Sequence, residues 1–167
     1  MVLSARMRAL SALALVAAFG CGYRFTAGGA PLPEGIRAVQ VPIFANKTAE
    51  PGLETAFTQA MRLQLARAGL DSPPNAEAQI EGEILAVSAA PTLVTPTGSL
   101  ASYRLSVSAR LRLVKSGRTL SNVQINGAED YLPGVDVLES EANRAAALQR
   151  LAQTLMRDGY DRLATGW

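Results

Sequence analysis

The residue with the best-defined chemistry in this sequence is Cys21, the only cysteine of the chain. A single thiol cannot form an internal disulfide, and a cysteine-based zinc cluster needs more of them. Small residues precede it at Ala17, Ala18 and Gly20, with the bulkier Phe19 among them. This pattern is typical of a lipobox, in which the acylated cysteine becomes the first residue of the mature chain. We therefore predict that Cys21 is lipidated.

The residues before Cys21 have the organisation of a secretory leader. Arg6 and Arg8 make the start positive, and an apolar run follows over residues 9–19, interrupted only by Ser11. The run is shorter than the roughly twenty residues that span a bilayer, but it suits a signal-peptide core. Residues 1–20 are thus predicted to be a lipoprotein signal peptide. The alternative is ordinary cleavage after residues 16–18, which would leave a soluble periplasmic protein with a free thiol.

Acyl chains on Cys21 would hold the mature protein to a membrane. Each buried methylene contributes about 0.8 kcal/mol, so two or more chains anchor firmly where one would not. Gly22 follows the cysteine. An aspartate at that position favours the inner membrane in enterobacteria, and Gly22 therefore favours the outer membrane.

A second group that could bind a ligand is a run of cations with no acid between Glu83 and Glu129. Its members are Arg104, Arg110, Arg112, Lys115 and Arg118. Guanidinium groups bind phosphates and carboxylates through paired hydrogen bonds, which makes the run a candidate docking face for anions. The alternative is a solvated strand face, on which Glu81 and Glu83 pair with Arg110 or Arg112.

A third candidate is the uncharged stretch of residues 89–101, which Pro91, Pro96 and Gly98 predict to be a loop. Long connections are often functional. This one carries the apolar residues Leu93, Val94 and Leu100. It is either a surface loop or a contact tip for a partner or for acyl chains.

Catalysis is not indicated. The chain has no histidine, the commonest general base and metal ligand. Its sequence contains no nucleophile elbow, glycine-rich phosphate loop or metal-ligand spacing. Without the leader the chain has fourteen basic and fourteen acidic residues, so its formal net charge is zero. A neutral chain gives no support to a nucleic-acid partner. We predict a protein that is not an enzyme and needs no cofactor or metal.

Hydrophobic spacing predicts one domain over residues 36–167, preceded by a flexible tether rich in Gly and Pro over residues 21–35. Predicted strands cover residues 36–44, 79–87, 103–114 and 120–127. Pro42 cannot donate to a strand ladder, so the first of these strands is expected to lie at an edge or to end near that residue. One helix is predicted from Pro51 to Gly69, and a second from Glu139 to about Leu163. The fold class is α+β: a two-layer sandwich in which two amphipathic helices cover one face of a four-stranded, mostly antiparallel sheet, in the order β-α-β-β-β-α.

The spacing also predicts which side chains form the core. Val39, Val41 and Ile43 are expected on one strand face, and Ile80, Ile84 and Ala86 on another. The alternation from Tyr103 to Leu113 predicts a long strand with one buried face. The helix stripes are Leu53, Phe57, Met61 and Leu65, then Ala145, Leu148, Leu151, Leu155 and Met156. Trp167 is either a contact residue or a cap on the last helix.

Several motifs resemble the lipopolysaccharide-assembly lipoprotein family LptE, in the form found outside the enterobacteria. They are CGYRF at residues 21–25, LPEGI at 32–36, VPIFANKT at 41–48 and EPGLE at 50–54, with Tyr103 opening the alternating strand. The resemblance covers nearly all of the mature chain. Its most specific part lies between Cys21 and Leu65.

The resemblance implies an outer-membrane lipoprotein inside the lumen of a large β-barrel, LptD. There it would plug the barrel, help it assemble and contact lipopolysaccharide on its way to the cell surface. Family members contact lipopolysaccharide through basic residues, partly in the loop before the long strand. Residues 89–101 contain no Lys or Arg, so the contacts are expected from the five strand cations. The alternative is a lipoprotein on the periplasmic side that binds another envelope ligand or machine.

Overall fold

The computed structural model describes residues 30–70, 72–94 and 100–166. The predicted signal peptide, Cys21, most of the predicted tether and Trp167 therefore lie outside the described residues. So does Asp71, together with residues 95–99 between two strands.

The described residues form a two-layer α+β structure. A short 3₁₀ turn, Pro33–Gly35, leads into strands β1 (Val39–Gln40) and β2 (Ala45–Asn46) and helix α1 (Leu53–Arg67). Strands β3 (Ala78–Val94), β4 (Leu100–Lys115) and β5 (Arg118–Tyr131) follow, and helix α2 (Val137–Thr165) ends the fold. Strands β3, β4 and β5 pair antiparallel, whereas β1 and β2 both pair in parallel with the outer edge of β3. The predicted fold class is confirmed, with five strands in place of four.

The extra strand arises because the predicted first strand is divided at Pro42. Proline has no N–H for a strand ladder, and the backbone leaves the sheet here. The N–H of Phe44 instead donates to Thr58 Oγ1 on α1 at 3.0 Å. Phe44 is consequently buried, while Ile43 is 67% exposed. The prediction that Ile43 shares a buried face with Val39 and Val41 is therefore wrong.

The predicted loop over residues 89–101 is also wrong. Strand β3 continues to Val94 and β4 begins at Leu100, so most of this stretch belongs to a long hairpin. Pro91 pairs opposite Tyr103, and an outer strand tolerates a residue that has no N–H to donate. A register shift at Leu85 changes which side chains face the core, because one residue is added to β3. Ala86, predicted on the buried face with Ile84, is exposed for this reason.

The core lies between the helices and one face of the sheet. Its centre is the alternating row of β4, whose buried members are Leu105, Val107, Ala109, Leu111 and Leu113, as predicted. The predicted α1 stripe is buried as well, and Gly69 ends the helix with φ +72°. Strand β5 runs on to Tyr131, four residues beyond the predicted end at Gly127, because it follows β4 to Tyr103.

Helix α2 continues through Gly159, although glycine is a poor helix former. A Cβ at this position would lie 2.3 Å from Leu111 Cδ1, so glycine lets the helix approach the sheet closely. The buried stripe extends past it to Tyr160 and Leu163. Ala145, predicted to be part of this stripe, is exposed.

Residues 30–35, predicted as the end of the tether, pack on the domain. Leu32 is 3% exposed, and the hydroxyl of Tyr160 donates to the carbonyl oxygen of Ala30 at 2.8 Å. Burial raises the pKa of Tyr160, with a smaller contribution from Asp161. The folded domain thus begins before residue 36, at a point fixed by the end of α2.

Tyr160→Phe removes the hydroxyl that holds Ala30 and should lower the free energy of unfolding by about 1 kcal/mol. The ring stays buried, so the loss reports the hydrogen bond rather than the packing. Urea denaturation followed by circular dichroism measures the change. Tyr103→Phe makes the same chemical change on a half-buried tyrosine of β4 and serves as the control. Equal stability of Tyr160→Phe and wild type would show that the contact with Ala30 contributes nothing.

Candidate functional surface

The sheet face turned away from the helices is polar, and we call it the open face. Strand alternation builds it, since every second residue of β3, β4 and β5 points away from the core. In register, β3 contributes Glu81, Glu83 and Ser88, β4 contributes Arg104, Ser106, Ser108, Arg110 and Arg112, and β5 contributes Asn122, Gln124, Asn126 and Asp130. Three of the five predicted cations therefore share one face.

At one end of the open face, two arginines of β4 face two glutamates of β3. Arg110 Nη1 lies 3.0 Å from Glu83 Oε2, and Arg112 Nη2 lies 2.6 Å from Glu81 Oε2. These residues are directly opposite in the strand register. Lys47 Nζ approaches the other oxygen of Glu83 at 3.9 Å. The pairing considered from the sequence is thus formed, and because all these groups are partly exposed each pair contributes about 1 kcal/mol or less.

The same end of the open face contains a groove of about 630 Å³. Its lining combines these two ion pairs with residues from the segment around β2: Pro42, Ile43, Ala45, Glu81, Gly82, Glu83, Arg110, Arg112 and Asn122. Ile43 is the exposed apolar residue that the sequence placed in the core. The groove therefore offers two guanidinium groups beside an apolar side chain, an arrangement suited to an amphipathic anion.

Arg104 lies at the other end of the open face. It is six residues from Arg110 along β4, which corresponds to about 20 Å. Its Nε and Nη2 donate to the two carboxylate oxygens of Asp130 at 2.8 and 2.9 Å. These hydrogen bonds hold the pKa of the Asp130 carboxyl below its ordinary value. Arg104 does not belong to the groove.

Lys115 and Arg118 flank the β4–β5 turn and share one acid, Glu34. Lys115 Nζ lies 3.3 Å from Glu34 Oε2, and Arg118 binds the other oxygen. Glu34 stands in the turn Pro33–Gly35 with φ +56°. These two cations therefore connect the β4–β5 turn to the turn that precedes β1. The structure divides the predicted run into three places, and an acid faces each of its members.

The proposed contact residues Leu93, Val94 and Leu100 belong to β3 and β4 and not to a loop. Val94 pairs with Leu100 in the backbone register at the far end of the hairpin. Residues 95–99, which would form the tip, lie outside the described residues. Their role as a contact site stays a prediction.

The sequence reasoning missed an exposed apolar turn between β5 and α2. Leu132, Val135, Val137 and Leu138 are all large and exposed, and Val135 reaches 96%. Hydrogen bonds fix the turn: Glu139 N–H donates to Asp136 Oδ1, and Val135 N–H donates to Glu139 Oε2, both at 2.8 Å. The only signal in the sequence is a cluster of apolar residues that fits neither helix nor strand spacing. Exposed apolar clusters of this kind mark contact surfaces.

The described residues contain no cluster of three or more acidic or cysteine side chains that could hold a metal ion. In the same part of the chain, no helix combines the length and apolar character needed to cross a bilayer.

Solved structures of two bacterial lipoproteins share this fold. The rare lipoprotein B of Shewanella oneidensis has a TM-score of 0.50 at 14% identity, covering 77% of this chain and 92% of that one. Lipoprotein B of Nitrosomonas europaea has a TM-score of 0.51 at 13% identity, covering 88% and 92%. At these identities the likeness concerns the fold.

Sequence comparison identifies the family itself. The family model of LptE, described as lipopolysaccharide-assembly, matches residues 36–163. The chain belongs to this family, and the predicted resemblance is confirmed. None of the curated proteins matches the chain in sequence.

Proposed function

We propose that this chain is a non-catalytic outer-membrane lipoprotein that plugs a lipopolysaccharide-exporting β-barrel of the LptD type and helps it assemble. The observation that carries the proposal is the family match over residues 36–163, which spans all five strands, helix α1 and helix α2 as far as Leu163. Lipid on Cys21 would place the domain at the membrane that contains the barrel. The neutral mature chain and its lack of histidine agree with a role in binding rather than in catalysis.

Two features of the domain suit it to the inside of a barrel. The lumen of a large outer-membrane barrel is polar, and the open face is a broad polar surface of ion pairs and uncharged Ser, Asn and Gln side chains. The apolar turn formed by Leu132, Val135, Val137 and Leu138 adds a rigid hydrophobic contact at the hairpin-tip end of the sheet. Together they supply complementary surfaces for a polar wall and for an apolar pocket.

Contact with lipopolysaccharide is proposed for the groove at Arg110 and Arg112. Their pairs with Glu83 and Glu81 are partly exposed, and such pairs are weak enough for a phosphate to compete for the guanidinium. Arginine binds a phosphate through two parallel hydrogen bonds, as it does a carboxylate. A phosphate also carries at least as much negative charge as a carboxylate, so it can replace the glutamate as the partner of the arginine. Ile43 at the rim would contact an acyl chain. On binding, each arginine would thus exchange its glutamate carboxylate for a phosphate of the ligand.

The double substitution Arg110→Glu and Arg112→Glu should weaken binding of purified lipopolysaccharide on the order of tenfold or more. It removes two cations and leaves four carboxylates in the groove, while the domain stays folded because the site is at the surface. Binding is measured by titration with fluorescence or light scattering. The matched control reverses Arg157 and Arg162, two exposed cations of α2 on the other side of the molecule. Equal binding by both double variants would exclude the groove as the site.

Depletion of the protein from living cells tests the assembly role. The proposal predicts that the barrel partner accumulates in a misfolded form, seen as loss of its heat-modifiable band, and that lipopolysaccharide at the cell surface declines. A correctly folded barrel and unchanged surface lipopolysaccharide after depletion would refute the proposal. That result would favour a lipoprotein serving another envelope ligand or machine.

A further inference from the structure

The apolar turn between β5 and α2 holds most of the large apolar side chains that the domain exposes. Among the described residues, six such side chains are exposed, and four of them belong to this turn. Val135 is 96% exposed and Val137 81%. Soluble domains rarely gather exposed apolar side chains at one place unless they form a contact surface.

Hydrogen bonds and close packing hold the apolar turn in one conformation. The N–H of Gly134 donates to Ser140 Oγ at 2.9 Å, and Asn143 Nδ2 donates to the carbonyl oxygen of Leu132 at 3.2 Å. A Cβ at Gly134 would lie 2.5 Å from the Cβ of Glu139, so the turn packs tightly on the start of α2. A surface that is already ordered loses little conformational entropy when it binds a partner.

Acidic side chains flank the apolar turn, and no basic side chain balances them. The three exposed carboxylates are Asp136, Glu139 and Glu141. No Lys or Arg occurs between Arg118 and Arg144, and Arg144 pairs with Glu50. In the part of the chain that the structure describes, none of the three carboxylates forms a salt bridge. The turn is therefore an apolar patch with a negatively charged rim.

The sign of this charge argues against a lipid partner. Protein segments that insert into a membrane combine apolar side chains with Lys or Arg, which attract anionic headgroups. The phosphates of lipopolysaccharide are anionic as well, so the three carboxylates would repel them. A protein pocket can instead provide an apolar floor together with basic side chains at its rim, which complements both features of the turn.

The apolar turn is also remote from the predicted lipid anchor. Ala30 is held by Tyr160 near the end of α2, whereas Val137 begins that helix. The separation of Tyr160 from Val137 corresponds to about 35 Å along a helix. An apolar cluster that supplemented the anchor would be expected beside it. The remote position of the turn therefore also disfavours a contact with the membrane that holds the anchor.

We infer that the apolar turn docks into an apolar pocket of a protein partner whose rim carries Lys or Arg. The inference rests on the proposed function, which makes that protein the β-barrel. Val135 and Leu138 would fill the pocket, and Glu141 would face its basic rim. The contact would hold the end of the domain that is remote from the anchor, so the domain would be attached at both ends.

The first test removes apolar side chains with the double substitution Val135→Ser and Leu138→Ser. The matched control is Ile43→Ser with Leu63→Ser, which changes the other two exposed large apolar residues of the described chain. The full-length lipoprotein is purified from detergent-solubilised outer membrane, the barrel that accompanies it is quantified, and the unfolding temperature of each variant verifies the fold. The turn variant should recover on the order of tenfold less barrel, and the control near the wild-type amount. Equal recovery by both variants overturns the inference and leaves the proposed function standing.

The second test concerns the negative rim. Glu141→Lys should lower the recovered barrel about threefold or more, because a cation would then face the basic rim of the pocket. Asp161→Lys makes the same change of charge at an exposed position near the other end of α2 and serves as the control. Recovery with Glu141→Lys that equals or exceeds the wild-type amount overturns the assignment of a basic rim.

Photo-crosslinking in living cells identifies what covers the apolar turn. The photoreactive amino acid p-benzoylphenylalanine at position 135 should crosslink to an apolar segment of the barrel that has Lys or Arg beside it. A crosslink to lipopolysaccharide, to phospholipid or to a second copy of this chain overturns the inference and leaves the proposed function standing, and so does the absence of any crosslink. A crosslink to a protein other than the barrel overturns both.

Discussion

Gly82→Ala should lower the free energy of unfolding by about 3 to 5 kcal/mol, the amount typical of losing a buried phenylalanine from a core. Gly82 lies on the core face of β3 opposite Leu111. An added Cβ would lie 2.3 Å from Phe44 Cδ2 and Cε2 and 2.4 Å from Cγ. The ring is buried, and the backbone of Phe44 is tied to Thr58, so the ring can clear the methyl only by leaving its site. Urea denaturation followed by circular dichroism measures the loss.

A double-mutant cycle identifies the cause of that loss. Phe44→Ala alone should be destabilising by a similar amount, and adding Gly82→Ala to it should change little, because the clashing ring is gone. Gly127→Ala is the control on β5, where the added Cβ would meet side-chain ends of two leucines, Leu155 Cδ2 at 2.8 Å and Leu151 Cδ1 at 3.1 Å. It should be less destabilising than Gly82→Ala. A Gly82→Ala protein as stable as wild type, or full additivity in the cycle, would contradict this account of the packing.

Cys21→Ala should release the protein from the membrane. Each acyl methylene contributes about 0.8 kcal/mol of membrane affinity, so losing two or more chains removes essentially all attachment. The variant is exported behind a signal peptide with an ordinary cleavage site, because the native leader cannot be processed without the cysteine. Fractionation should find it in the soluble periplasmic fraction, while the native protein stays with the membrane.

Mass spectrometry of the native protein provides the control for the lipidation prediction. The mature N-terminus should be position 21, with the mass of several acyl groups added to it. An unmodified thiol at that position, or a mature chain beginning elsewhere, would refute the prediction. In that case the Cys21→Ala substitution would not change how the protein divides between the membrane and the soluble fraction.

The elements that could be predicted from the sequence are those with a strong and uninterrupted period. The alternation from Leu105 to Leu113 and the four-residue spacing from Leu53 to Leu65 each repeat often enough to fix both the element and its buried face. The failures occur where a single residue changes the backbone. Pro42 divides a strand, and the extra residue at Leu85 turns the following side chains over. Hydrophobic spacing is read over a window of many residues, so it does not show a change that a single residue makes.

Pro91 misled the prediction for a different reason. Proline usually marks a loop. In an outer strand it is tolerated, because the side of the strand without a neighbour needs no N–H donor. Whether a strand is at an edge depends on its neighbours in the sheet, and those neighbours are distant in sequence. The position of Pro91 in an outer strand could not have been recognised before the sheet order was known.

The candidate surface was predicted in its residue types but not in its arrangement. The alternation places Arg104, Arg110 and Arg112 on one face, as the structure confirms. The partners of the other two cations depend on Glu34, which is 81 residues from Lys115 and 84 from Arg118. No local pattern joins positions that far apart. The sequence alone therefore cannot distinguish a run of unpaired cations from cations that each pair with a distant acid.

The most direct test of the central claim is purification of the native lipoprotein from detergent-solubilised outer membrane, followed by mass spectrometry of what accompanies it. If the domain plugs a barrel, a large β-barrel that exports lipopolysaccharide should be recovered with it in a constant proportion. Recovery of the lipoprotein alone, or with a different envelope machine, would contradict the claim.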